Sequence, residues 1–395
     1  MPRRTVLHVV QDWGAPDDAP VADLLAGTRS TRPVVAAQRV TGPVPAGLAV
    51  HDLGAVPGAV PRGAPYGRAR LTTVLGTRVP GRPNRRTAVL AAVEGARVLH
   101  AHGGDSAWLA WRGASVTRAR LAVSLAGPDL LVRCRDDEGM LAAMLAAHVV
   151  VAPSQFLADG ALAIGVRHAD LHVVAPALDV SRLPYRERGP HDGPLRIAFC
   201  GPFSERSGVL DCVQAVGILA AGRPVVARFV GHGPLGATLG AQVADGRLDV
   251  AVQDGTVPGA YEQAWDWADV AVLAARTAAD GDAEPWGQWA CQAQACGLPV
   301  VAARNGGLTQ WAARDAMSLV PSHGDIRAAL ARALTELADR PQDWAGRGRA
   351  GRDYVARTLD PRTQTDRLEA LWRELAARGP VKQLVGSLQR PPDQF

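Results

Sequence analysis

The feature that most constrains this 395-residue chain is an alternation. Short apolar runs bounded by turn residues are followed by Ala- and Leu-rich stretches of helical character, and the pattern repeats along most of the chain. Strands are expected at Val6–Val10, Arg97–His100, Leu121–Leu125, Val149–Val151 and Leu171–Val174, with helices over Val21–Leu25, Gly139–Ala147 and Phe156–Ile164. Parallel strands need a long crossover, and a helix is the usual one, so this alternation predicts a parallel sheet covered by helices.

The pattern stops at Pro184–Pro194, a polar run carrying three prolines, and then restarts. The second series has strands at Leu195–Cys200, Val225–Val230, Leu248–Val252, Val270–Leu273 and Pro299–Ala302. Its helices are expected at Val209–Ala220, Pro258–Trp267, Gly287–Ala295, Asp325–Ala338 and Arg362–Ala377. The fold class is therefore α/β, with two tandem Rossmann-like doubly wound domains facing a cleft. The expected divisions are residues 1–183, a linker over 184–194, a second domain over 195–360, a helix over 361–378 returning to the first domain, and a tail over 379–395. Residues 41–86 carry many Gly and Pro without a sustained period and read as an irregular excursion.

Net charge is +5, yet Lys382 is the only lysine and the arginines are scattered. A nucleic-acid surface would be clustered and interleaved with aromatics, so no nucleic-acid partner is expected. Cys134, Cys200, Cys212, Cys291 and Cys296 form no CxxC pair or zinc spacing and read as buried thiols, with no metal site. No apolar run reaches the roughly 18 to 20 residues of a membrane span, and the opening residues lack a signal-peptide pattern. A cytoplasmic location is the expectation.

The segment richest in chemistry runs from Ala283 to Val301 and continues to Asn305-Gly306-Gly307. Glu284 lies just before a helix start, where outward-pointing N–H groups favour an anion or a hydroxyl-rich ligand. Gly287 stands at the loop-to-helix junction, Gln292 lies within the helix, and Gly-Leu-Pro-Val-Val reads as a C-cap followed by a buried strand.

Here the chain resembles the retaining nucleotide-sugar glycosyltransferases of family four, which have the GT-B fold. Glu284 matches the first residue of that family's Glu-x7-Glu motif, Gln292 occupies the second, and Ala293–Val301 with Gly306-Gly307 continues the pattern. Phe199–Gly208 resembles the family's phosphate loop, Gly231–Pro234 its Gly-x-Gly-Pro turn, and Ala268–Val270 its Ala-Asp-Val strand start. In the first half, His100-Ala-His102, Ser124–Asp129 and Ala152–Phe156 resemble further family segments in family order.

The resemblance implies a nucleotide diphospho-sugar donor, UDP- or GDP-linked, a small hydroxylated acceptor, retention of configuration and no obligatory metal or other cofactor. It implies that Glu284 and the Trp286-Gly287 loop orient the sugar and that Gln292 contacts the ribose. Gly201, Ser204, Gly208, Gly233, Gly306 and Gly307 would build the donor site, with Arg206 beside the diphosphate. Gly14, His102 and Asp129 would serve the acceptor side. Association with a second copy or a partner glycosyltransferase is compatible with this reading.

Four positions depart from the family: Pro202 and Ser207 replace its phosphate-loop Arg and Lys, Ala126 its first-domain His, and Gln292 its second acid. Arg206 is the cation left in the loop, and guanidinium binds phosphate bidentately. Such departures also suit a catalytically impaired pseudo-glycosyltransferase that acts as a partner or binding protein. Each residue has a structural reading as well: Glu284 as a helix-dipole acid, Asp129 as a cap, His102 as a core histidine, Gly14 as a turn glycine.

Overall fold

In the computed structural model the described residues are 3–14, 19–54, 83–244, 248–311, 313 and 316–378. The strands of the first domain are β1 (Arg4–Trp13), β2 (Thr31–Val40), β3 (Ala49–Asp52), β4 (Val98–His102), β5 (Arg120–Ser124), β6 (Val149–Ala152) and β7 (Leu171–Val173). Its helices are α1 (Ala19–Ala26), α2 (Pro83–Val93), α3 (Gly104–Thr117), α4 (Gly127–Leu131), α5 (Glu138–Leu145) and α6 (Gln155–Ala163). All seven strands are parallel, in the order β3-β2-β1-β4-β5-β6-β7.

The second domain has strands β8 (Leu195–Cys200), β9 (Val225–Gly231), β10 (Val250–Asp254), β11 (Val270–Leu273), β12 (Val300–Arg304) and β13 (Met317–Pro321). Its helices are α7 (Val209–Ala220), α8 (Gly236–Val243), α9 (Ala260–Trp267), α10 (Gln288–Ala295), α11 (Ile326–Ala338) and α12 (Trp344–Thr358), and a last helix, α13 (Pro361–Ala377), follows. This six-stranded sheet is also parallel, in the order β10-β9-β8-β11-β12-β13. Strand order reverses beside β1 in one sheet and beside β8 in the other, and the crevice beyond the carboxyl ends at such a switch point is where doubly wound sheets bind ligands.

Both sheets are covered on two faces, which explains why their strands read as apolar runs. Leu7, Val9, Leu99 and Val123 anchor one core, and Ile197, Phe199, Phe229 and Val272 the other. Each large apolar side chain so buried stabilises by about 1.5–3 kcal/mol against exposure.

Two features correct the sequence expectation. The excursion over 41–86 is not wholly irregular: Ala49–Asp52 pairs with β2, while 55–82 lie outside the described residues. Strand β2 itself was hidden by Pro33. Its partner β3 begins opposite Val34, so the N–H that Pro33 lacks falls where β2 has a neighbour on only one side.

The Pro184–Pro194 run is fastened to the second domain. Arg188 is 1% exposed, and its guanidinium donates to the carbonyls of Trp265, Asp266, Ala268, Cys296 and Arg186. Burial pulls its pKa down to about 10. Helix α13 lies on the first domain instead: Trp372 and Leu368 join Val6, Leu24 and Val98 in one cluster, and Glu369 accepts hydrogen bonds from the Ser30 and Thr31 amides at 2.9 and 2.8 Å.

Candidate active site

The donor-side loop is built by close backbone approach. Gly208 starts α7 with φ of 62°, and a Cβ there would stand 2.0 Å from the Ala274 carbonyl oxygen. Only glycine fits both the left-handed backbone and the contact. Gly201 packs against the Trp289 ring, and a Cβ on Gly233 would meet the Phe203 carbonyl oxygen at 2.6 Å. Ser207 Oγ donates to the Ser204 carbonyl at 2.8 Å, and Ser204 Oγ is buried with no partner among the described residues.

Opposite this loop, Glu284-Pro285-Trp286-Gly287 leads into α10. Gly287 has φ of 83° and donates its N–H to Glu284 Oε1 at 2.8 Å, so the carboxylate caps the helix from three residues upstream. The Glu284 carbonyl accepts the Gly307 N–H at 2.7 Å, and a Cβ on Gly306 would lie 2.2 Å from that carbonyl oxygen. The Gly306-Gly307 pair thus cradles the loop. Arg206 reaches across, with Nε 3.1 Å from Asp282 Oδ2 and a terminal nitrogen 3.9 Å from Glu284 Oε2. Burial raises the Asp282 pKa against the opposing pull of Arg206.

These groups border two spaces. A narrow slot is lined by Gly201, Pro202, Ser207, Glu284, Gly287 and Trp289. A cleft of about 490 Å³ opens between the domains, lined on one side by Gln11, His102, Ser124, Asp105, Asp129 and Arg133 and on the other by Arg206, Pro285, Trp286 and Gln288. Its volume suits a small-molecule ligand. The domains also touch directly, since Trp311 Nε1 donates to the Pro153 carbonyl at 2.8 Å and Pro285 packs on Gly127.

The structure therefore brings Arg206, Trp286, His102 and Asp129 to one cleft and Glu284, Gly201 and Gly287 to the adjoining slot. Ser204, Gly208 and Gly233 build the loop behind it, and Gly306 and Gly307 support its far wall. Gln292 is half-buried on α10 and lines neither space. Gly14 is exposed, packs its backbone on Gly42, and lies outside the cleft lining that includes its neighbours Gln11 and Asp12. Ala126, where the resembling family carries His, lines the cleft.

Asp129 is 1% exposed and committed: one oxygen accepts the Gly104 N–H at the start of α3, and the other pairs with Arg133. Arg133 also bonds Asp105 at 2.6 Å. Sequence reasoning missed Arg133 and Asp105. The four-residue spacing of Asp129 and Arg133 was a visible signal, since such pairs meet on a helix face.

His102 stands at the end of β4 beside His8 and His100. Burial holds His8 and His100 well below the usual imidazole range, helped by the neighbouring histidines, and brings His102 to about 4. Nitrogens of the three lie within 4.8 Å of one another. The donor set does not fit a metal, because His100 accepts from Trp372 Nε1 at 3.1 Å and meets Ser124 Oγ at 2.9 Å, leaving it no ligand atom.

Residues 194–340 match the family model described as Glycosyl transferases group 1. The amylovoran biosynthesis glycosyltransferase AmsK of Erwinia amylovora is 29% identical over 185 residues, covering 46% of this chain and 45% of that one. The matched segment thus spans less than half of that relative. Among solved structures, Anabaena Alr3699/HepE in complex with UDP and glucose superposes with a TM-score of 0.71 at 16% identity, over 94% of this chain and 100% of that one. A sucrose-phosphate synthase of Thermosynechococcus elongatus gives 0.69 at 17% identity, over 95% and 100%. These two likenesses concern the fold.

Proposed function

We propose that this chain transfers a sugar from a nucleotide diphospho-sugar to a small hydroxylated acceptor, with retention of anomeric configuration, a reading supported by the match of residues 194–340 to the group 1 glycosyltransferase model and by the two-domain fold. The observation that carries the reading is Arg206 at the cleft wall, within reach of Glu284 and in the loop that leads into α7.

Breaking a glycosyl–phosphate bond leaves negative charge on the departing diphosphate, and groups fixed in advance to receive it lower the barrier. Arg206, Ser204 and the N–H groups at the start of α7 would receive it, the last because a helix N-terminus carries partial positive charge. Glu284 and the Trp286-Gly287 turn would hold the sugar hydroxyls; Gln292, which lines neither space, is given no contact here. The departing diphosphate would help deprotonate an acceptor lying on the same face, near His102 and Asp129, and closure of the cleft would exclude water.

UDP-glucose is the first donor to test, because the Anabaena protein of like fold is solved with it. Calorimetric titration with UDP, GDP and their sugars, followed by assignment of the product anomer by NMR, tests the proposal. Micromolar binding that Glu284→Ala abolishes is expected; an inverted product removes the retention claim.

One observation favours a second reading, a non-catalytic relative. Arg206 already faces two carboxylates, Asp282 and Glu284, while Pro202 and Ser207 supply no second cation. Absence of binding by every nucleotide tested selects that reading.

A further inference from the structure

Three histidines lie behind the first-domain wall of the cleft, and their hydrogen bonds determine where each proton sits. The Trp372 indole is a donor only, and it reaches His100 Nδ1 at 3.1 Å. That nitrogen must carry a lone pair, so neutral His100 keeps its proton on Nε2 and donates to Ser124 Oγ at 2.9 Å. Ser124 accepts there, which leaves its own hydroxyl proton to be donated elsewhere.

His8 Nδ1 and His102 Nε2 are 3.1 Å apart, and one of them donates to the other. His8 is fully buried, and its Nε2 has no partner among the described residues. Were His102 the donor, His8 would carry its proton on that isolated nitrogen. A buried N–H with no acceptor is rarer and costlier than an idle lone pair. His8 therefore donates, and His102 accepts at Nε2 and carries its proton on Nδ1.

His102 and Ser124 are register partners at the ends of β4 and β5, and both line the cleft. We propose that His102 Nδ1–H and the Ser124 hydroxyl form a paired donor clamp on a hydroxyl oxygen of the acceptor, with His102 a fixed hydrogen-bond donor and not a base. The ligand's identity as an acceptor rests on the glycosyltransferase reading; the protonation pattern does not.

The surroundings keep His102 neutral. Asp12, Asp105 and Asp129 face the same cleft, yet Arg39 bonds the first and Arg133 the other two, so among the described residues no lone carboxylate lining it draws a second proton onto the imidazole. Behind it, Trp372 packs edge-on against His8 and His100 with centroids 5.0 and 5.6 Å away. His8, His100 and Trp372 are positioning residues: they set which nitrogen of His102 faces the ligand.

The test has two arms. On the full chain labelled with ¹⁵N-histidine, NMR reads each tautomer, and the His102 signals are those lost in His102→Gln. Protonated Nδ1 and unprotonated Nε2 near neutral pH are expected; an unprotonated Nδ1, or an imidazolium, overturns the proposal. In turnover of UDP-glucose with methyl α-glucoside as the acceptor probe, Ser124→Ala and His102→Gln should raise the acceptor KM at least tenfold with the donor KM unchanged. His102→Asn, whose amide N–H sits near the Nδ1 position, should recover part of the acceptor affinity that His102→Gln loses. An unchanged acceptor KM in His102→Gln overturns the clamp. Should UDP-glucose fail to bind, the glycosyltransferase reading falls, and the ¹⁵N spectra still decide the protonation pattern.

Discussion

The hydroxyl of Ser154, at the start of α6 in the first domain, donates to the carbonyl of Pro285 in the second at 2.6 Å. The same Oγ accepts the Leu157 N–H at 3.3 Å, so one side chain caps a helix and latches the domains at the Glu284 loop. Gly307 makes the latch possible, because a Cβ there would stand 2.1 Å from the Pro285 carbonyl oxygen and 2.8 Å from Ser154 Oγ. Ser154→Ala should cost about 1 kcal/mol through the lost cap. Gly307→Ala should do more, pushing the loop outward and weakening nucleotide-sugar affinity at least tenfold by calorimetry. Unchanged affinity in Gly307→Ala would show that the loop position does not govern donor binding.

Arg206→Ala should lower turnover by orders of magnitude while leaving the melting temperature nearly unchanged, as expected when a contact made mainly in the transition state is lost. Arg206→Lys keeps charge without the fork geometry and should recover only part of the rate. Initial-rate kinetics with thermal melts check both, and wild-type turnover in Arg206→Ala removes the residue from the mechanism.

Stability should fall on acidification through the histidines. Burial lowers the folded-state pKa of His8 and His100, and brings His102 and His148 to about 4, below the unfolded value near 6.5. The unfolded chain then binds protons first, so their contribution is complete above about pH 6.5 and declines as pH drops toward 4. Melting temperatures measured between neutrality and pH 5 should decrease steadily; a flat profile contradicts the assignment.

Glu369 ties α13 to the first domain. Its carboxylate accepts from the Arg29, Ser30 and Thr31 amides and from Thr31 Oγ1 at 2.7 Å. Burial alone would raise its pKa, but the bonds from Thr31 and Ser30 outweigh that and lower it. The stabilisation is therefore present above the ordinary carboxylate range and is lost on acidification. Glu369→Gln should cost about 1.5–3 kcal/mol in urea unfolding near neutrality.

Arg188→Leu should destabilise by about 1–3 kcal/mol, because it takes the donor from the buried Trp265 carbonyl and leaves the Ala268 and Cys296 carbonyls with bonds from Arg186 alone. Equilibrium unfolding measures it. A neutral result would mean that the linker clamp contributes nothing net.

Much of the frame was legible because its signals are local. The strand–helix alternation gave both sheets apart from β2, β3 and β13, and the spacing from Glu284 to Gly307 marked the donor loop, whose glycines prove to be places where backbone meets backbone. Elements without local signals were not foreseen. Helix α3 opens on Gly103-Gly104 with no capping side chain of its own, and the carboxylate that serves it, Asp129, comes from a later helix. Helix α12 carries Gly346, Gly348 and Gly351, poor helix formers; at Gly348 a Cβ would lie 2.2 Å from the Gly297 carbonyl oxygen, so close packing overrides propensity.

The amino-acid order alone determined the two parallel sheets and the glycine-bounded donor loop, since hydrophobic period and backbone freedom act within a few residues. Which side chains face one another across the cleft was decided only by the tertiary fold. Arg133 on Asp105, Ser154 on Pro285, and Trp372 on His100 join residues from different elements. The last pair is 272 residues apart in the chain, and no local rule reaches that distance. Hydrogen bonds depend on separations of about 3 Å, which exist only once both sheets and the returning helix have packed.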